Sequence, residues 1–180
     1  MIDIVGIISE NLSKLVPVKI IRSYQQGVKF SDGVDVALLG PGWHWYWPFK
    51  QAIEVVDTAE DVIDCQVQSL TTSVDGNGNA EEVTLSFVIT FKVADARKLF
   101  VGLQDYAVNI ERAARRYIHR RVRAWTYREL IDKQTQLESG LKDTLTGKFE
   151  KWGVEITDVG LTDLTSARNY RVYGVGNPLT

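Results

Sequence analysis

From Val18 to Val93 apolar and polar residues tend to alternate, β-branched residues are frequent and turn residues recur. That period of two predicts several antiparallel strands, a first one begun by Val18, Ile20 and Ile21 and further ones at Ala52–Asp57, Val62–Leu70 and Val83–Val93. Gln26-Gly27 and Asp32-Gly33 have the composition of hairpin turns. Gly40-Pro41-Gly42 has that of a type II turn, at which the chain is expected to reverse. At Asp95 the period lengthens to three or four, and a helical pattern runs with one break to about Trp152. Asp105 is placed to cap a helix through Trp125, and Thr126 with Glu129 makes a capping-box pattern for the next. Leu130, Leu137, Leu141, Leu145, Phe149 and Trp152 then form its apolar stripe, which Gly153 ends. Val154, Ile156, Val159 and Leu161 read as a last strand, so the chain is α+β: an antiparallel β-rich first half, then helices and a final strand.

The two ends differ from this body. Met1, Ile4, Val5, Ile8, Leu12, Leu15 and Val16 share one helical face, Asp3, Glu10 and Lys14 take the other, and Pro17 stops the pattern. The longest apolar run there, Ile4 to Ile8, is far short of the roughly 20 residues that span a bilayer. Asp3 also falls where a signal peptide would carry Lys or Arg. A helix this short needs a surface to lie on: its own core, a sister subunit or a membrane interface. Its polar face is not rich in Lys or Arg, unlike that of most membrane-surface helices. After Leu164 the residues punctuate rather than build, with Gly174, Gly176 and Pro178 near the end. The expected organisation is an amphipathic helix over 1–17, one folded body over 18–164 and an irregular tail over 165–180, without a separating linker.

Composition narrows the function classes. The 180 residues are 44% apolar, enough for one buried core and too much for a disordered chain. A net charge of -2 gives no global attraction to nucleic acid or acidic lipid, so any such contact must come from a local patch. The single Cys65 excludes an intramolecular disulfide.

Two groupings carry interaction chemistry. Trp43-His44-Trp45-Tyr46-Trp47-Pro48-Phe49 sets three of the five tryptophans on one face of a strand, with His44 and Tyr46 on the other. An indole, with its large apolar body and single N–H donor, suits a headgroup boundary or a subunit interface as well as a core. In the helical half, Arg112, Arg115, Arg116, His119 and Arg123 share one face, with Arg120 at its margin. Between Arg112 and Arg128 stand seven arginines and no acid, while the rest of the chain has 14 basic against 23 acidic residues. Arg121 falls inside the opposite, apolar face of Ile110, Ala114, Tyr117, Ile118 and Trp125, and must find a carboxylate or snorkel outward. The arginine row can be a solvated face, a phosphate-binding face or a contact between copies. It lacks the interleaved aromatics that read single-stranded nucleic acid. Glu54, Asp57, Glu60, Asp61 and Asp64 form an acidic stretch that could meet a neighbour's arginines head to tail.

Catalytic signals are poor. His44 and His119 have no metal-ligand spacing with Cys65, and no nucleophile or carboxylate motif stands out. Asp75-Gly76-Asn77-Gly78-Asn79 starts like a calcium loop but has Ala80 where Gly is needed and Ser86 where Glu is needed. No glycine cluster makes a phosphate loop, so no enzyme, metal, cofactor or small-molecule substrate is expected.

The order of short motifs resembles the band 7 or SPFH family of stomatins, prohibitins and flotillins. The matching pieces are Gln26-Gly27-Val28, Gly40-Pro41-Gly42-Trp43-His44 with Pro48-Phe49, Val56-Asp57, Leu70 to Asp75, Phe91 to Asp95, and Trp152-Gly153-Val154 with Val159 and Asp163. The resemblance implies a non-enzymatic protein beside one membrane leaflet that assembles into rings and organises lipids or regulates membrane proteins or proteases. It places Met1, Ile4, Val5, Ile8, Leu12, Leu15, Trp43, Trp45 and Trp47 at the membrane, peripherally and on the cytoplasmic side. Arg112, Arg115, Arg116, Arg120 and Arg123 are expected at a subunit interface with Glu54, Asp57, Glu60 and Asp61. The alternative is a soluble structural or adaptor oligomer, such as a viral or host-derived ring component, with the first helix between subunits. Two departures stand out. The family's long Ala- and Glu-rich helix after the last strand is replaced by a short Arg, Tyr and Gly stretch, so no tall cage wall is expected. The usual Leu-Arg pair of its first long helix reads Ile118-His119, with Arg120 after it.

Overall fold

The strand Glu82–Val93 (β7) follows the alternation of its sequence: Val83, Leu85, Phe87, Ile89, Phe91 and Val93 are buried, and every residue between them is half-buried. A computed structural model describes residues 17–78 and 80–167 of the chain, so the helix expected over Met1–Val16 lies outside the described residues. β7 is the middle of a three-stranded antiparallel sheet, between β6 (Asp61–Thr71) and β8 (Val154–Ala167). Four helices and a short 3-10 turn separate β7 from β8: α1 (Ala96–Gly102), α2 (Tyr106–Ala124), α3 (Tyr127–Asp132), α4 (Gln134–Phe149) and the turn Glu150–Trp152. α2 lies against β6, α4 against β8, and the two helices touch each other. Ile110, Ala114, Tyr117, Ile118 and Val122 of α2 are buried with Leu137, Leu141, Leu145 and Phe149 of α4, completing one core with the inner face of the sheet. Gly140 allows this close approach, because a Cβ there would meet the Tyr117 hydroxyl.

A second antiparallel sheet runs β3 (Val34–Leu39), β2 (Gln25–Ser31), β5 (Gln51–Asp57), with α1 packed against it. β1 (Val18–Ile21) pairs with β4 (Gly42–Trp45) in a separate two-stranded ribbon. Buried Ile21 fastens the ribbon to the small sheet: its side chain occupies the space that a Cβ on Gly27 of β2 would need. The Tyr46 N–H donates to the Pro17 carbonyl at 3.0 Å, closing the ribbon's far end.

Several expected elements stand where the pattern put them, including the hairpin at Asp32-Gly33, where both φ angles are positive at 51° and 81°. The Thr126/Glu129 capping box is present, with Glu129 N donating to Thr126 Oγ1 at 3.3 Å and Thr126 N to Glu129 Oε2 at 3.0 Å. Others are corrected. Gln26-Gly27 lies inside β2, and the glycine serves packing by Ile21, not a turn. After Gly40-Pro41-Gly42 the chain does not fold back on β3; β4 leaves for β1. The helical run beginning at Thr126 breaks at Lys133, whose backbone leaves the α region, so α3 and α4 share the predicted stripe. The final strand continues through Ala167, three residues into the stretch assigned to an irregular tail, because it stays paired with β7 as far as Glu82.

Candidate membrane and subunit-contact surfaces

In the ribbon, Val18 stands opposite Trp45 and Ile20 opposite Trp43. Directly opposed residues share a face, so these four side chains lie on one side and Lys19, Ile21 and His44 on the other. The anchored side is held by Ile21 and by a His44 Nε2 contact with the Gly40 carbonyl at 2.8 Å. The other side is bare: Trp43 is 75% exposed, Trp45 73%, Ile20 54%, and beyond the strand Trp47 is 62% and Phe49 85% exposed. Pro48 prevents continuation of the strand, and the Trp47–Lys50 turn closes with Lys50 N donating to Trp47 O at 3.0 Å. Trp47 and Phe49 remain side by side, ring centroids 6.3 Å apart. Five large apolar side chains on one small ribbon exceed the scattered exposure that ordinary surfaces show. Trp43 and Trp45 thus share one exposed side with Ile20, and Trp47 lies beside Phe49 in the turn that follows. Their signal was the register of β1 with β4, which no local pattern reveals.

On α2, Arg112, Arg115, Arg116, His119, Arg120 and Arg123 are all exposed. Arg115 pairs with Glu111 one turn earlier, at 2.6 Å. Among the described residues, Arg112, Arg116, Arg120 and Arg123 have no ion-pair partner. Arg121 snorkels outward: its guanidinium stacks over Tyr117 and Trp125, 5.3 and 5.6 Å from the ring centroids, and Nε donates to the Tyr117 hydroxyl at 3.3 Å.

The acidic stretch does not form one surface. Glu54 lies opposite Val28 in the small sheet, and Asp64 lies opposite Val88 on the uncovered side of the large one. Asp57, Glu60 and Asp61 do come together, at the rim of a cleft of about 520 Å³ floored by Phe91, Val93 and Tyr106. Asp57 accepts from Gln25 Nε2 at 2.8 Å. The Tyr106 hydroxyl is pushed up, first by burial and then by the fields of Asp61 and Asp57, which marks the cleft as negative. Tyr106 opens α2, so at 1.5 Å per residue the cleft stands roughly 15–25 Å along the helix from Arg116 to Arg123. The two charged surfaces are separate, and one copy can use both at once.

Cys65 is fully buried under α2 and its thiol is pushed up to about 12 by burial, with Glu111 adding to the shift, which makes it a packing group. Among the described residues no cluster of His, Cys, Asp or Glu could hold a metal ion, and no helix is long and apolar enough to cross a membrane.

An antiparallel β-rich half, helices over one sheet face and a long final strand are the architecture expected of one family, and the chain belongs to it: the SPFH domain / Band 7 family model matches residues 19–173. This is a membrane-associated, scaffold-type and generally non-enzymatic family. The chain is similar to a stomatin homolog of Pyrococcus horikoshii and one of Pyrococcus abyssi, each 23% identical over 147 residues, 82% of this chain and 53% of either relative. An uncharacterized protein of Methanocaldococcus jannaschii is 26% identical over 145 residues, 81% of this chain and 70% of the relative. The chain spans about half the length of the stomatin homologs it matches.

Proposed function

We propose that the protein is a peripheral scaffold that assembles with copies of itself on a membrane surface, on the cytoplasmic side, and there organises lipids or regulates membrane proteins or proteases. The observation that carries this reading is the bare aromatic ribbon, with Trp43, Trp45 and Trp47 each more than 60% exposed. Buried in water-free surroundings these rings would be ordinary core; left in water they need a headgroup layer or a partner. The hydrogen bond from Tyr46 to Pro17 adds to it, because it fixes Pro17, the residue that follows 1–16 in the sequence, at that end of the ribbon. Met1, Ile4, Val5, Ile8, Leu12 and Leu15 then belong to the same contact as the tryptophans.

Self-association in this reading is head to tail. The arginine face of one copy, Arg112, Arg115, Arg116, Arg120 and Arg123, meets carboxylates of the next, chiefly Asp57, Glu60 and Asp61 at the cleft rim, with Glu54 outside it. Two different surfaces in contact make a heterologous interface, which continues into rings or open rows.

Flotation with vesicles tests the membrane half, and deletion of residues 1–16 separates the readings. Lost flotation with the oligomer intact supports the membrane role. Loss of the oligomer favours a soluble structural assembly that uses this segment between subunits. For the interface, an Arg116→Glu/Arg120→Glu variant and an Asp57→Asn/Asp61→Asn variant, whose altered surfaces do not attract each other, should each be monomeric. Mixed together they should form dimers and nothing larger, since each keeps one sound surface; growth into larger species would refute the head-to-tail contact.

A further inference from the structure

Charge is unevenly divided along the β-rich half. Residues 17–53, which build the ribbon and its support, hold Lys19, Arg22, Lys29 and Lys50 against Asp32 and Asp35, whereas residues 54–91 hold eight carboxylates and no Lys or Arg. Two of these lysines stand beside the aromatic patch. Lys29 Nζ reaches the Trp45 carbonyl at 3.5 Å and Lys50 follows Phe49 in the closing turn, whereas Lys19 lies opposite His44 on the other side of the ribbon. Lys19 and Lys50 are exposed and Lys29 half-buried, and none of the three has an ion-pair partner among the described residues. Arg22 is occupied with Tyr24, donating to its hydroxyl at 2.6 Å. Asp32 stands close to Lys50, its N–H donating to the Lys50 carbonyl at 2.7 Å.

We propose that the ribbon selects an anionic leaflet, its rings entering the headgroup layer while Lys29 and Lys50 meet lipid phosphates; this rests on the membrane reading above. Rings and ammonium groups are complementary to one surface that is apolar below and negative at its boundary. Carboxylates elsewhere on the body count little, because surface charges farther off than about 8 Å are largely screened at physiological salt. Each cation held near an anionic surface strengthens binding by about fivefold. Lys29 and Lys50, opposed by Asp32, should therefore give a preference on the order of fivefold or more.

The test is sedimentation of the full chain with vesicles of phosphatidylcholine alone or with about one-third phosphatidylglycerol. The expected result is binding about fivefold or more tighter to the anionic vesicles, with the gap closing in high salt. A Lys29→Gln/Lys50→Gln variant, its melting unchanged, should bind both vesicles alike, and an Arg116→Glu/Arg120→Glu variant should keep the preference. Equal binding of the unaltered chain to both vesicles would overturn the anionic selection and leave the membrane reading standing. Binding to neither would overturn both. A preference abolished by the arginine changes and untouched by the lysine changes would move it to α2 and overturn the assignment to the ribbon.

Discussion

Replacing Trp43, Trp45 and Trp47 together by Ala separates an exposed contact surface from a misplaced core. An indole side chain offers on the order of 200 Å². With 62–75% exposure, roughly 120–150 Å² per ring is free to leave water. At about 25 cal/mol per Å², full immersion stabilises binding by roughly 3 kcal/mol per ring, and a ring at headgroup level, half desolvated, by about half that. After subtracting what Ala retains, the triple variant should lose about 3–4 kcal/mol, a drop on the order of 100- to 1,000-fold in vesicle partitioning. Folding should hardly notice. Truncating a buried Trp costs about 3–5 kcal/mol each, but exposed positions stay within about 0.5 kcal/mol, so the melting temperature should move by no more than about 3–6 °C in all. Vesicle sedimentation and a thermal melt read the two quantities on the same preparations. Partitioning within twofold of the unaltered chain, or a loss of stability like that of core truncation, would refute the reasoning.

Other consequences follow from single positions. Gly153 has φ 74°, and a Cβ there would press on the backbone and Cβ of Asp95, so Gly153→Ala should lower the urea-unfolding free energy by more than about 1 kcal/mol. The Glu129 carboxyl is lowered from 4.5 to about 2, by the Lys133 ammonium and then by the Thr126 N–H of the cap. Because the folded chain holds this proton less tightly than the unfolded one, its contribution is complete above pH 4.5, shrinks as pH falls towards 2, and is gone below that. In Glu129→Gln that part of the acid dependence should be missing from urea midpoints measured across the window. Cys65, buried and with its thiol at about 12, should react with a thiol reagent only as fast as the domain opens; prompt labelling of the native protein would contradict its placement.

What was legible in the sequence was whatever has a local cause. The burial of alternate residues in β7, the capping box at Thr126 and the positive φ angles at Asp32-Gly33 all follow from neighbours a few positions away. Gly27 looked like a turn residue because only contact with Ile21, from another strand, explains it. The Gly40-Pro41-Gly42 bend was visible, but not that β4 would pair with β1, since register depends on distant partners. The same limit governed the candidate surfaces. Alternation put three tryptophans on one face without saying that they would be exposed, and an acidic run of sequence proved to divide among the small sheet, a cleft and the outer side of the large sheet. The row on α2 was readable because every arginine in it belongs to one helix.

The most direct measurement uses the inert Cys65 as an advantage: Phe49→Cys provides the one accessible thiol among the described residues, to which an environment-sensitive fluorophore can be attached. On adding anionic vesicles that bind the protein, its emission should shift to the blue and be quenched by lipid-borne quenchers, while the same probe at Asp143→Cys, exposed on α4 and in neither contact surface, stays in water. An unshifted probe at position 49 on vesicle-bound protein would contradict the claim that the aromatic ribbon faces the membrane.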